Sequence, residues 1–178
     1  MTLKSMIGAA AFACTVGLVA AAFAEPGAVF TTFNTAVDGA NVCQKGSVIN
    51  CNIYKQKQFV WLNGGPLANG LGPDGDYFFA VLEPSGQPNP NDSAPGNLSD
   101  EDTYWDRTFH VTGGVVSYYG GTHDSYSQTY IRLAPYADTA NPGGGYILAI
   151  CSLADSYPVD PRDCKYDFFT VKVEQDDE

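Results

Sequence analysis

Apolar residues in this chain recur with a period of two rather than 3.6, in short runs fenced by Gly, Pro, Asn and Asp. That pattern selects strands. Phe109 and Val111 alternate with His110, Ile131 and Leu133 with Arg132, and Phe169, Val171 and Val173 with Thr170 and Lys172. One face of each such strand meets a core and the other meets water. Two runs, 77–82 and 146–150, are continuously apolar and predict mid-sheet strands covered on both faces. The spacing predicts about eight strands, at 28–33, 52–62, 77–82, 107–111, 115–119, 129–134, 146–152 and 167–173. A turn or two of helix is expected from Ser99, whose side chain is placed to cap Asp100, Glu101 and Asp102. The fold class expected is all-β: a single two-sheet β-sandwich.

Export sets the size of that domain. Lys4 precedes an almost uncharged apolar stretch from Ile7 to Phe23, and Ala22-Phe23-Ala24 carries small residues where a signal peptidase reads. Cleavage after Ala24 is expected, leaving 154 of the 178 residues. The rival, an uncleaved anchor, is disfavoured because the stretch is rich in Ala and Gly and ends in a good cleavage site. Cys14 lies inside the discarded segment, with a poor lipoprotein signal before it. The domain then spans 25–173, followed by a solvated acidic tail at 174–178, and no membrane span remains. Eight basic residues face twenty acidic ones in the processed chain, a formal charge of −12. Nucleic acid and anionic membrane are thereby disfavoured as partners, since both are bound through Lys and Arg.

Removing Cys14 leaves Cys43, Cys51, Cys151 and Cys164, an even number for an oxidising, extracellular compartment. Two disulfides are expected. Four cysteines allow three connectivities, and proximity favours Cys43–Cys51 with Cys151–Cys164. The spacings suit neither zinc nor a redox pair.

Chemistry is sparse by comparison. His123-Asp124-Ser125 holds the residue types of a hydrolytic relay, but consecutive side chains on extended backbone point in alternate directions. No catalytic residue is assigned; a secreted hydrolase stays as the lesser alternative, since a glycosidase could use two of the many carboxylates and no sequence pattern excludes it. Calcium is the one metal to weigh, with Asp74, Asp76, Asp100 and Asp102 as candidates alongside 89–92 and Asp160 with Asp163. None of these matches a twelve-residue calcium loop, and no cofactor is assigned. Asn91-Asp92-Ser93 and Asn97-Leu98-Ser99 fit the glycosylation sequon, which matters only in a host that uses it.

The long polar connection 84–103 is too rich in Pro, Gly and Asn for regular structure, and loops of that length are functional or mobile as a rule. Aromatic residues gather at its end. Tyr104 and Trp105 are the ligand-binding candidates, because aromatic faces stack on the apolar faces of sugar rings, whereas Trp61, between Val60 and Leu62, reads as core.

Three segments carry a resemblance: Asp74-Gly75-Asp76-Tyr77-Phe78-Phe79-Ala80-Val81, the strand Tyr146-Ile147-Leu148-Ala149, and Tyr166-Asp167-Phe168-Phe169-Thr170-Val171. They resemble the prealbumin-like and immunoglobulin-like β-sandwich modules of bacterial secreted and surface proteins. Display, adhesion or assembly is what the resemblance implies. The Lys–Asn crosslink of some such modules is not carried over, because the last asparagine, Asn141, precedes the closing strand. The expectation is a secreted, non-catalytic surface or matrix module whose partner is an extracellular protein, a glycan or a second copy of itself. The alternative within it is a monomer that binds a carbohydrate or a protein through the 84–105 loop.

Overall fold

In a computed structural model, residues 29–63, 70–84, 88–99, 101–154 and 156–172 are described. The expected signal segment, Val173 and the acidic tail lie outside these residues. Among the described residues ten strands form two sheets, and no helix is long and apolar enough to cross a membrane. The strands are β1 (Cys43–Gly46), β2 (Cys51–Tyr54), β3 (Trp61–Leu62), β4 (Gly75–Leu82), β5 (Thr108–Thr112), β6 (Val115–Tyr119), β7 (Ser125–Tyr126), β8 (Tyr130–Arg132), β9 (Gly145–Ser152) and β10 (Cys164–Val171). A seven-stranded sheet runs β1-β2-β10-β9-β4-β5-β6, and a three-stranded sheet runs β3-β8-β7. All neighbours are antiparallel except β2 and β10.

The two continuously apolar runs become β4 and β9, side by side in the middle of the large sheet. Alternation then sorts their side chains onto two faces. Tyr77, Phe79 and Val81 with Tyr146, Leu148 and Ile150 point into the main core, shared with Leu62 and Ile131 of the small sheet. Phe78, Ala80, Leu82, Ala149 and Cys151 form a second cluster on the opposite face. Each fully buried Leu, Ile or Phe contributes about 1.5–3 kcal/mol relative to exposure, so both faces need a cover. The second face receives it from Tyr104, Leu153, Tyr157 and Val159, all in connections rather than strands.

Those connections are held by side-chain amides. Asn91 pairs both ways with the Val159 backbone, donating from Nδ2 and accepting at Oδ1, each at 2.9 Å. Asn97 donates to the carbonyls of Pro90 and Asn91, and its Oδ1 accepts from Ser99 N. Leu98 N donates to Val81 O and Ser99 Oγ accepts from Val81 N, laying the segment along β4 beyond the reach of β5. The 88–99 portion of the long connection is thus a pinned cover.

Several boundaries differ from expectation. Ala28 of the strand expected at 28–33 lies outside the described residues, and 29–33 form a single bridge, Thr32 with Trp61, followed by α1 (Thr35–Asp38), which Asn34 caps. The strand at 52–62 is two strands in different sheets, separated by a 3-10 turn, Lys57–Phe59, that carries the chain across. Ser99 does not cap a helix, because its hydroxyl is spent on Val81 N; the helical turn comes later, at Tyr104–Arg107. Short β1 and β7 carry little apolar signal and were not expected.

The disulfides are Cys43–Cys51, across β1 and β2, and Cys151–Cys164, across β9 and β10. Both outer edges of the large sheet are blunted. β1 has register shifts on either side of Lys45, and β6 is flanked by Asn63 and Leu71, whose backbones bond Val116 N and Gly114 O. Short, irregular or covered edges resist pairing with another chain.

Candidate ligand-binding site

The 3-10 turn Tyr104–Arg107 precedes β5 and lifts one indole into solvent. Trp105 is 67% exposed, the most exposed of the large apolar residues described. Beneath it the rings form a column. Tyr157 stacks on Tyr104 at 3.6 Å between centroids and 8° between planes, and Tyr104 meets Trp105 at 4.6 Å and 31°. Phe78, fully buried on the second face of β4, packs edge-on against both Tyr104 and Tyr157. The column therefore rises from the second cluster and ends in the outer face of Trp105.

Local hydrogen bonds fix the turn. Thr103 donates to the Asp106 carboxylate from its backbone N at 3.1 Å and from its hydroxyl at 2.9 Å. These bonds hold the Asp106 carboxyl below its usual range, the backbone one foremost. Tyr119 Oη donates to Asp106 O at 2.7 Å and accepts from His123 N. Gly121 is required where this loop crosses the turn, since a Cβ there would lie 1.9 Å from Asp106 O.

Under the turn lies a buried charge network that sequence reasoning missed. Arg107, fully buried, reaches Asp92 Oδ1 at 2.5 Å through Nη2, while its Nε lies 2.9 Å from Asp102 Oδ1 and donates to Thr103 O at 3.3 Å. Asp102 Oδ2 meets His123 Nε2 at 2.6 Å, and His123 Nδ1 lies 3.0 Å from the carbonyls of both Arg132 and Ala134. Both ring nitrogens thus face acceptor oxygens. Asp92 also accepts from Tyr104 N at 3.0 Å, and its own N donates to Tyr157 Oη at 2.5 Å. Asp92 is thus the joint between network and column. No local pattern marks these groups, which are spread over 31 residues from Asp92 to His123; the signal available was an Arg beside a strand start with acids upstream.

The structure brings Tyr104 and Trp105 together and adds Tyr157, which sequence reading did not single out. Trp61 is core, 1% exposed, with Arg132 4.6 Å over its ring and its Nε1 donating to Asp38 at 2.5 Å. The calcium candidates are dispersed. Asp74 accepts from Gly113 N, Asp76 pairs with His110 at 2.7 Å, Asp102 is taken up by Arg107 and His123, and Asp100 lies outside the described residues. Among the described residues no three His, Cys, Asp or Glu side chains gather as a metal site. His123, Asp124 and Ser125 diverge, the first buried and the other two exposed. At His110 the nearby Ser117 hydroxyl donates to the backbone carbonyl, not to the ring.

No family model matches the chain, and neither the curated proteins nor the solved structures contain a match.

Proposed function

We propose that this chain is an exported, non-catalytic interaction module that binds a carbohydrate through the outer face of Trp105. The observation that carries the reading is an indole held two-thirds exposed at the end of a rigid stack, Tyr157–Tyr104–Trp105, above a buried ionic anchor. A fixed aromatic face loses little entropy when a ring settles on it, and the apolar C–H face of a pyranose adds one more layer to the column. Two disulfides fit an oxidising, extracellular setting. The finer assignment, a sandwich of immunoglobulin-like or prealbumin-like kind, belongs to this proposal and rests on the segment resemblance together with the two-sheet core.

Assembly into a polymer through strand edges has less support, because the large sheet offers blunted edges to a second copy. The test is binding of processed protein to a panel of soluble polysaccharides by affinity electrophoresis, with W105A beside the wild type. Retardation by at least one polysaccharide that W105A abolishes is the expected result. Retardation unchanged in W105A, or mass rising with concentration while no polysaccharide binds, would refute the proposal.

A further inference from the structure

The face of the large sheet that carries the column holds a second exposed ring. Alternation puts Asp76 on the same face of β4 as Phe78, and the strand registers extend that row: Asp76 lies opposite His110 on β5, and His110 opposite Tyr118 on β6. The neighbouring row, Phe78 with Thr108, is the one Tyr104 and Tyr157 cover, about 7 Å away at two residues of strand rise. Tyr118 is 54% exposed. Because β6 runs antiparallel to β5, Gly120 lies toward the start of β5, where the Trp105 turn sits. The Tyr118 ring leans that way: a Cβ on Gly120 would lie 3.1 Å from its Cε1 and 3.4 Å from its Oη. The same end of β6 is tied to the turn, through Thr122 N and Tyr119 Oη donating to Asp106 O.

Polar groups stand beside that ring. His110 Nδ1 lies 2.7 Å from Asp76 Oδ1, the two side chains being 42% and 66% exposed, and His110 Nε2 and Asp76 Oδ2 have no partner among the described residues. A face on which a pyranose stacks and an imidazole–carboxylate pair that meets its hydroxyls are the two kinds of contact a sugar uses. We infer that Tyr118, with His110 and Asp76, is a second sugar subsite, so that the ligand is a polysaccharide segment running from Trp105 across the outer face of β5 and β6. This inference rests on the carbohydrate reading above and on the continuity of the two aromatic contacts over one sheet face. Within one ligand the second contact forms at high effective concentration, so affinity grows with chain length.

The experiment is calorimetric titration of wild type, W105A, Y118A and Y118F with the di- and hexasaccharides of the cello, laminari, malto and xylo series. Circular dichroism of each variant checks folding, which both exposed side chains leave intact. The expected result, in at least one series, is a hexasaccharide bound more tightly than its disaccharide, weakened about tenfold in Y118A and largely restored in Y118F, as one lost ring contact implies. The disaccharide, reaching one subsite at a time, keeps its affinity in Y118A and loses most of it in W105A. Equal affinity for the two lengths, or hexasaccharide binding that W105A abolishes and Y118A leaves unchanged, would overturn the second subsite while leaving the carbohydrate reading standing. Hexasaccharide binding lost in Y118A but unchanged in W105A would overturn both. Binding in no series would overturn this inference, leaving the carbohydrate reading to the polysaccharide panel.

Discussion

Arg107 shows how one residue fixes the geometry of its neighbours. A guanidinium with no solvent contact is tolerated only where carboxylates meet it, and here Asp92 and Asp102 do so while also holding Tyr104 and His123. Removing it strands two acids. R107A is expected to cost about 3–5 kcal/mol, read as a lowered urea midpoint, because breaking a buried pair leaves an uncompensated charge. A midpoint within experimental error of wild type would show the network to be dispensable. Asp167 behaves differently: burial, the larger effect, raises its carboxyl above the ordinary value, although Thr31 donates to it from backbone N at 2.8 Å. A raised folded value means that its contribution is fully present below the unfolded value near 3.8 and is lost as pH rises through the folded one. Urea midpoints over an acid-to-neutral series therefore fall for wild type relative to D167N as pH rises. Parallel curves would remove Asp167 from the account.

At the level of elements, the central question is what covers the second face of β4 and β9. Connections 88–104 and 153–163 do so, and the Cys151–Cys164 disulfide closes the second of them at its base. Replacing Cys151 and Cys164 by alanine should cost about 3 kcal/mol by the loop-entropy account and also loosen Tyr157, the foot of the aromatic column. Replacing Cys43 and Cys51 should cost nearly as much but leave the column intact. Near-ultraviolet circular dichroism distinguishes them, with aromatic signal lost in the first variant and kept in the second; the same loss in both would contradict the assignment. The strands of this layer were legible from sequence because alternation and continuous apolar runs report burial directly, as at Phe109, Val111 and 77–82. The cover was not, since Asn91 and Asn97 act through specific amide bonds to distant backbone. Composition shows such residues only as loop formers.

Across the whole molecule, tyrosine burial makes an alkaline limit visible. Burial pushes the phenols of Tyr54, Tyr119 and Tyr136 far above their ordinary value of 10.0, and Tyr166 up to about 12. A raised folded value means the stabilising contribution holds below the unfolded value and is lost above it, where the unfolded chain ionises and the folded one cannot. Tyrosinate absorbance should therefore rise cooperatively, in step with loss of the β signal, above about pH 10. Smooth titration of every tyrosine with the fold intact would show those rings to be accessible. The acidic surface was legible from composition, and so was Trp105 as a ligand candidate, because a Trp beside acids at a loop end has no core to enter. Tyr157 was not, lying 52 residues from Trp105 and reaching the column through its stack on Tyr104 and its bond from Asp92 N.

The two tryptophans offer the most direct test. Trp61 is buried with its indole N–H bonded to Asp38, and Trp105 stands in solvent, so their two indole resonances are distinguishable by NMR and assignable with W105F. Titration with an oligosaccharide of a polymer that the protein retains should shift the Trp105 resonance and leave that of Trp61 in place. An oligosaccharide that binds while the Trp105 resonance stays fixed would contradict the account.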